Sequence, residues 1–357
     1  MKKKYKLFIG PAEGTVTGQS TAFLYLKNYF SHELFINTNF QDLPKTKKVF
    51  LTLKTIFKFL NRMFKNDVGM VYISISRSFL GSIKDLIIIN VSSLFSCQKI
   101  VLHLHGNDLL SFRKNSFFLY RLLFDYSYKK ATDVIVSHEN MKEQFSFIAN
   151  NVSIHSVVNC YSKDINVSYK KKEFNELRLL YLSNLMASKG IFELLEACKE
   201  LERKNINFKL KVAGVELSDH LMSKDEVLKK LKSYHSLKNV DFLGLVVGKD
   251  KINILEWANI FILPTRYPTE AFPISIIEAM ATGSIIIVTN HNGLDKIIKN
   301  SVHYIIKSPI KENIVKIIGD INHKSLSEGS RFNMNHAKKK YNLESHLSQL
   351  CKIFESS

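Results

Sequence analysis

Short apolar runs separated by longer amphipathic stretches recur along the chain, and this alternation predicts strand, helix, strand, helix almost throughout. In the first half the runs fall at 5–9, 34–36, 68–75, 99–104, 133–136 and 153–158. A polar, lysine-rich stretch at 162–175 interrupts the series and reads as a domain boundary. A second series follows at 177–182, 208–213, 240–243, 260–263, 284–288 and 302–306, and helical stretches around 324–340 and 343–354 close the chain. The predicted fold class is α/β, with two doubly wound, Rossmann-like domains. Their expected extents are 1–165 and 176–335, with a final helical segment at 336–357 crossing back to the first domain. No repeat of fixed short period and no low-complexity tract is present.

Length agrees with this division, because 357 residues exceed the usual size of one domain. Hydrophobic content of 45% and charged content of 23% are ordinary for a globular protein. No apolar run reaches the roughly 20 residues that span a bilayer. The best candidate, 86–95, is broken by Asn90, Ser92 and Ser93. Lysines followed by apolar residues at 1–9 have the outline of a secretory leader. The apolar part is too brief before Gly10-Pro11, so the segment reads as a first buried strand. Cys97, Cys160, Cys198 and Cys351 are scattered without CxxC or Cys/His spacing, which argues against structural zinc and a disulfide framework. A reducing, cytoplasmic location is the expectation.

Charge changes the picture more. The formal net charge is +19, and residues 1–170 hold 23 Lys/Arg against 11 Asp/Glu, or +12 of it. A basic half implies an anionic partner: a membrane surface, a polyanionic substrate or nucleic acid. At 45–65, apolar Val49, Leu53, Ile56, Phe57, Leu60, Met63 and Phe64 make a helical stripe. Lys54, Lys58, Arg62 and Lys65 share the segment, and no acid appears until Asp67. This is the composition of an interfacial helix on anionic lipid, or of a helix packed on its own sheet with a basic outer face. The segment 117–130, with Phe117, Phe118, Leu122, Leu123, Phe124 and Tyr128 among basic residues, is a second candidate. A nucleic-acid partner is not expected, since no recognition helix, zinc or RNA-binding motif accompanies the charge.

Candidate chemistry concentrates between 260 and 293. An apolar strand at 260–263 ends at Pro264, a loop carries Glu270, and a helix begins near Pro273, a residue suited to the first helical position. The amides of Ile274 and Ser275 then point out of the helix start beside its positive dipole end, an anion site matched to a diphosphate. Glu278 follows eight residues after Glu270, about one and a half turns inside the helix. Two carboxylates thus flank a phosphate-binding helix start and can hold a sugar and a ribose on either side of a diphosphate.

The run Glu-Ala-Phe-Pro-Ile-Ser-Ile-Ile-Glu from Glu270 to Glu278, with its Ala-Met-Ala-Thr-Gly tail ending at Gly283, resembles the E-x7-E signature of retaining GT-B glycosyltransferases of family 4 (glycosyl transferases group 1). The strand at 284–288 and Asn292-Gly293 also fit that family. The resemblance covers nearly the whole chain in order, most strictly 177–293, while the first domain matches by pattern and a few short motifs only. It implies a GT-B architecture, with two Rossmann-like domains facing an interdomain cleft. It further implies that Glu270 contacts the donor sugar, that Glu278 contacts the nucleotide ribose, and that Ala271, Phe272, Ile274 and Ser275 line the donor site. In 179–191, Lys189-Gly190 resembles the family's first donor-domain strand and turn, where a lysine neutralises the departing diphosphate. Taken alone, Lys189 reads as an exposed lysine at a turn, and only the resemblance favours the site. His105, in His-Leu-His-Gly-Asn-Asp at 103–108, should emerge at a strand's C-terminal end, and the resemblance puts such a histidine near the donor sugar. His103 reads as core or support, and Asp108 as a helix cap or part of the site.

Three departures stand out. Asn184 occupies a position where many members carry a phosphate-binding arginine. Ala271 and Pro273 replace a frequent Gly-x-Gly. Thr17-Gly18, after Gly10-Pro11 and Gly14, replaces the paired glycines of the N-terminal loop, with Gly18 as the donor-site candidate. The expected reaction is retaining transfer of a sugar from a nucleotide-diphosphate sugar to a saccharide acceptor, expected to be lipid-linked, in bacterial surface polysaccharide synthesis. No metal or other cofactor is expected, and the protein should sit peripherally on the inner face of the cytoplasmic membrane. A GT-B nucleotide-sugar epimerase and a basic nucleic-acid-binding protein are the alternatives.

Overall fold

The computed structural model describes residues 4–12, 18–38, 40, 43–95, 97–165 and 176–356. Gly14 and Thr17 of the expected N-terminal loop, and residues 166–175 of the expected link, lie outside them. The chain forms two compact units, one built from 1–159 with 346–357 and the other from 160–345.

Unit 1 carries a parallel sheet of β1 (Tyr5–Gly10), β2 (Leu34–Asn37), β3 (Val68–Ser74), β4 (Lys99–Leu104), β5 (Asp133–Val136) and β6 (Ser153–Ser156), in the order β2-β1-β3-β4-β5-β6. Its helices are α1 (Gly18–Tyr29), α2 (Lys45–Lys65), α3 (Phe79–Leu94), α4 (Leu109–Lys114) and α5 (Phe118–Tyr128). Every residue of β3 and β4 is buried. Covering on both faces is why these strands read as continuous apolar runs rather than alternating ones.

In unit 2, β7 (Leu177–Leu182), β8 (Phe208–Ala213), β9 (Val240–Gly244), β10 (Ile260–Leu263), β11 (Ile285–Thr289) and β12 (His303–Ile306) form a second parallel sheet, in the order β12-β11-β10-β7-β8-β9. Around it run α6 (Ile191–Arg203), α7 (Lys224–Lys232), α8 (Gly248–Trp257), α9 (Ile274–Ala281), α10 (Leu294–Ile298), α11 (Ile310–Asp320) and α12 (His323–Lys340). The order reverses between β7 and β10, so their C-terminal ends open the crevice in which such sheets bind ligands. The last helix, α13 (Leu343–Glu355), lies mostly in unit 1, where Phe354 packs against Phe8, Phe30 and Tyr72.

Right-handed crossovers put α2, α3 and α5 on one face of the first sheet and α1 on the other, and α3 touches both α2 and α5. The side of α2 that packs inward is unexpected: Thr52, Thr55, Phe59 and Met63 are buried. Thr52 and Thr55 satisfy their hydroxyls on the carbonyls of Lys48 and Leu51, each at 2.8 Å, which lets polar residues face the core. Of the stripe read from the sequence, only Met63 is buried, while Val49, Leu53, Phe57 and Phe64 are exposed. Phe117, Phe118, Leu122 and Leu123 near α5 are exposed too, while Phe124 and Tyr128 are core. Among the described residues no helix is long and apolar enough to cross a membrane.

Candidate functional site

The loops after β7 and β10 meet at the switch point of unit 2. The β7 loop ends in a short 3-10 turn, Ala187–Lys189, followed by Gly190 at φ 77°. A Cβ there would lie 2.2 Å from the Pro264 carbonyl oxygen, so only glycine lets the two loops approach this closely. Lys189 is thereby turned inward: it is buried, and its ammonium forms an ion pair with the equally buried Glu270 carboxylate. The same carboxylate oxygen accepts from the Thr265 hydroxyl at 3.1 Å, and the ammonium stands 4.8 Å from the centre of the Tyr267 ring. Burial removes the reading of Lys189 as an exposed turn lysine.

Both loops are held from behind. Asp219 accepts the Ser188 amide at 2.6 Å and those of Leu221 and Met222 at 2.8 and 2.9 Å. Partial burial alone would raise the Asp219 carboxyl, but these hydrogen bonds bring it down to about 2. On the other loop, Asn292 donates to the carbonyls of Pro268 and Glu270 at 2.9 and 3.0 Å, and His291 donates from Nε2 to that of Tyr267 at 2.8 Å. Thr289 fastens the Thr265 carbonyl. Asp219, Thr265, Tyr267 and His291 were not identified from the sequence. Their roles depend on contacts between loops far apart in the chain, and nothing in their local sequence signals them.

Pro273 occupies the cap position of α9, so Ile274 rather than Pro273 is the first helical residue. Pro273 provides no side-chain cap, leaving the helix start without an internal oxygen ligand from that residue. Ala271 and Phe272 are buried, and Ile274 and Ser275 are half-buried. Further along the helix Glu278 is buried and pairs with Lys251 of α8, whose ammonium lies 2.8 and 2.7 Å from its two oxygens. Burial pushes the Glu278 carboxyl above its ordinary range, and Lys251 pulls against that rise. Asn184 is exposed in the β7 loop.

The remaining candidates belong to unit 1. Gly18 is exposed at the first position of α1. His105 follows β4, its ring stacked on that of His103 at 4.0 Å between centroids. His103 is buried, with Nδ1 2.6 Å from the Tyr72 hydroxyl. The Nε2 atoms of both histidines are buried without a hydrogen-bond partner. Burial, with the Arg77 and His346 charges adding to it, lowers the His105 imidazole to about 3, so it is neutral at ordinary pH. Asp108 meets Arg77 at 2.8 Å and stands at the cap position of α4 without a side-chain cap bond, so its role is the ion pair.

The glycosyl transferases group 1 family model matches residues 163–341. An uncharacterized glycosyltransferase of Methanocaldococcus jannaschii is 30% identical over 190 residues, covering 49% of this chain and 46% of its own. A lipopolysaccharide 1,2-N-acetylglucosaminetransferase of Salmonella typhimurium is 29% identical over 149 residues, 40% of this chain and 38% of its own. The chain thus spans less than half the length of the curated relatives it matches. Among solved structures, Anabaena HepE in complex with UDP-glucose has a TM-score of 0.71 at 15% identity, over 99% of this chain and 100% of that one. Sucrose-phosphate synthase of Thermosynechococcus elongatus has a TM-score of 0.70 at 14% identity, over 99% and 98%. These likenesses show a common fold, the GT-B glycosyltransferase class with two parallel α/β units.

The Glu278–Lys251 pair yields a pH test. In Lys251→Met the buried carboxylate loses its counter-charge, which should destabilise the fold by about 3 kcal/mol at neutral pH. The folded-state pKa of Glu278, already above 4.5, then rises further, so the folded state holds a proton that the unfolded chain releases. The deficit relative to wild type should be small at about pH 4 and grow as pH rises through the folded-state value. Urea denaturation from about pH 4 to about pH 8 measures it, and a deficit independent of pH would contradict the assignment.

Proposed function

This chain belongs to the glycosyl transferases group 1, and on that footing we propose that it moves a hexosyl group from a nucleotide-diphosphate sugar to a saccharide acceptor with retention at the anomeric carbon, as a member of family 4. The observation that carries the reading is the Lys189–Glu270 pair at the mouth of the β7/β10 crevice, beside the start of α9. A fixed cation and a set of helix amides there match the charge of a diphosphate leaving group. In this reading they supply the counter-charge that a metal ion would otherwise provide.

The bond from the anomeric carbon to the diphosphate oxygen breaks first, and its electron pair stays on the phosphate. Lys189 shifts from Glu270 to that oxygen, while Glu270 turns to the sugar hydroxyls and Glu278 to the ribose. The acceptor hydroxyl oxygen then bonds to the carbon on the face the diphosphate is leaving, and its proton passes to the departing phosphate oxygen. His105, neutral at ordinary pH, can act through a hydrogen bond rather than a charge. The acceptor we propose is a lipid-linked saccharide of bacterial surface polysaccharide assembly, met at the inner face of the cytoplasmic membrane. The exposed apolar and basic residues of α2, with those of 117–130, support that part of the reading, as does the lipopolysaccharide-acting relative.

Two experiments test it. Removing either partner of a buried ion pair costs about 3–5 kcal/mol, whereas replacing both with apolar residues is often neutral. Lys189→Met and Glu270→Met should therefore each destabilise the fold, and the double variant should regain stability while turnover stays at least about 100-fold down. A double variant that regains turnover with stability would reduce the pair to a structural role. Flotation with phosphatidylglycerol vesicles at low salt should carry the wild-type chain and leave Phe57→Glu behind. Wild-type protein that stays at the bottom of the gradient would remove the membrane from the reading.

A further inference from the structure

The two loops that carry Lys189 and Glu270 are joined a second time, by a pair of charges that the donor chemistry does not use. We propose that Arg266 and Glu193 are positioning residues of the transfer reaction, which hold these loops together while Lys189 and Glu270 part to receive the donor. The proposal rests on the glycosyl-transfer reading and adds two residues that touch no donor atom.

The side chains at 265–267 divide between the two pairs. The Thr265 hydroxyl donates to the Glu270 carboxylate at 3.1 Å, and the Tyr267 ring lies 4.8 Å from the Lys189 ammonium. Between them, the Arg266 guanidinium donates instead to the carboxylate of Glu193, in the first turn of α6. Arg266 thereby holds the β7 side at two points. Its amide donates to the carbonyl of Ser188 at 2.6 Å, one residue before Lys189, and its side chain takes Glu193, four residues after. Lys189 is bracketed between these points and turned inward. Among the described residues, Lys189–Glu270 and Arg266–Glu193 are the two ion pairs that join the β10 loop to the β7 loop and α6.

Packing does not account for the second pair. The Arg266 side chain is 49% exposed and that of Glu193 27%, against 11% and 8% for Lys189 and Glu270. The outer pair stands in the walls of two cavities, of about 740 and 360 Å³, so its arms are not wedged in place. The dipole of α6 favours an acid in the first turn but does not explain the arginine brought against it. The proposed chemistry does. Lys189 leaves Glu270 for the diphosphate oxygen, so the inner pair is broken when the loops must stay in register. The outer pair exchanges no partner and spans that step. An exposed pair contributes little to the stability of a whole fold, so its effect belongs to the loops.

Arg266→Gln, Glu193→Gln, their double variant and Arg266→Lys, which keeps the charge, test this in the full chain. Hydrogen exchange by mass spectrometry on peptides covering 183–192 and 264–272 reads the loops without ligand. Calorimetric titration with UDP, GDP and ADP reads diphosphate binding. Each glutamine variant should speed exchange in both peptides, and weaken the nucleotide that binds, by about three- to fivefold. The double variant should do no worse than either single one. Arg266→Lys should stay close to wild type in both readouts, and exchange in 208–213 should not change in any variant. Unchanged loop exchange in the glutamine variants, or additive losses in the double one, would overturn the proposal. Faster loop exchange with unchanged nucleotide affinity would reduce the pair to a structural clasp and overturn its part in the reaction. A wild type that binds none of the nucleotides would tell against the donor reading, while the exchange comparison would still decide whether the pair holds the loops.

Discussion

Two opposite charges, Lys189 and Glu270, are buried side by side where the second sheet reverses its strand order. Taking an ammonium and a carboxylate out of water costs several kcal/mol each, and their attraction offsets this only if the geometry is fixed. Much of the surrounding structure meets that condition. Gly190 adopts a positive φ so that the first loop can press on Pro264. Asp219 holds Ser188, while Asn292, His291 and Thr289 hold the loop that carries Glu270. The two charges are 81 residues apart in the chain and meet only because β7 and β10 are paired.

The two units spend their apolar residues differently. Among the described residues, sixteen of the large apolar side chains left exposed are in unit 1 and six in unit 2. Most of the sixteen lie on or next to α2, α3 and α5, the helices that cover one face of the first sheet. Large apolar exposed patches of this composition are characteristic of interaction surfaces in general. Unit 1 also keeps His103, His105 and His346 below their ordinary range, principally by burial. The unfolded chain takes protons that these imidazoles refuse, so the unit loses stability as pH falls below about 6.5.

The strands were legible in the sequence, because parallel strands covered on both faces read as bare apolar runs such as 99–104 and 260–263. Lys189 and Glu270 were each singled out through the family resemblance of their motifs, but nothing in the sequence announced that they pair with one another. The contacts that complete the site were not legible either. Lys251 reaches Glu278 from another helix, and Asp219 reaches Ser188 from a loop 31 residues on, so neither partnership has a local spacing to betray it. On α2 the periodicity located an apolar stripe but could not say which side faces the sheet. Thr52 and Thr55 take the inner side by bonding their own helix backbone, and Val49, Leu53, Phe57 and Phe64 of the stripe are left exposed.

The central claim is that the Lys189 crevice receives the diphosphate of a nucleotide sugar. Calorimetric titration of the full chain with UDP, GDP and ADP, repeated on Lys189→Gln, addresses it most directly. The account predicts that at least one of the three binds the wild type and that the variant binds it at least about tenfold more weakly. A folded wild-type chain that binds none of them, or a variant that binds as tightly as the wild type, would contradict it.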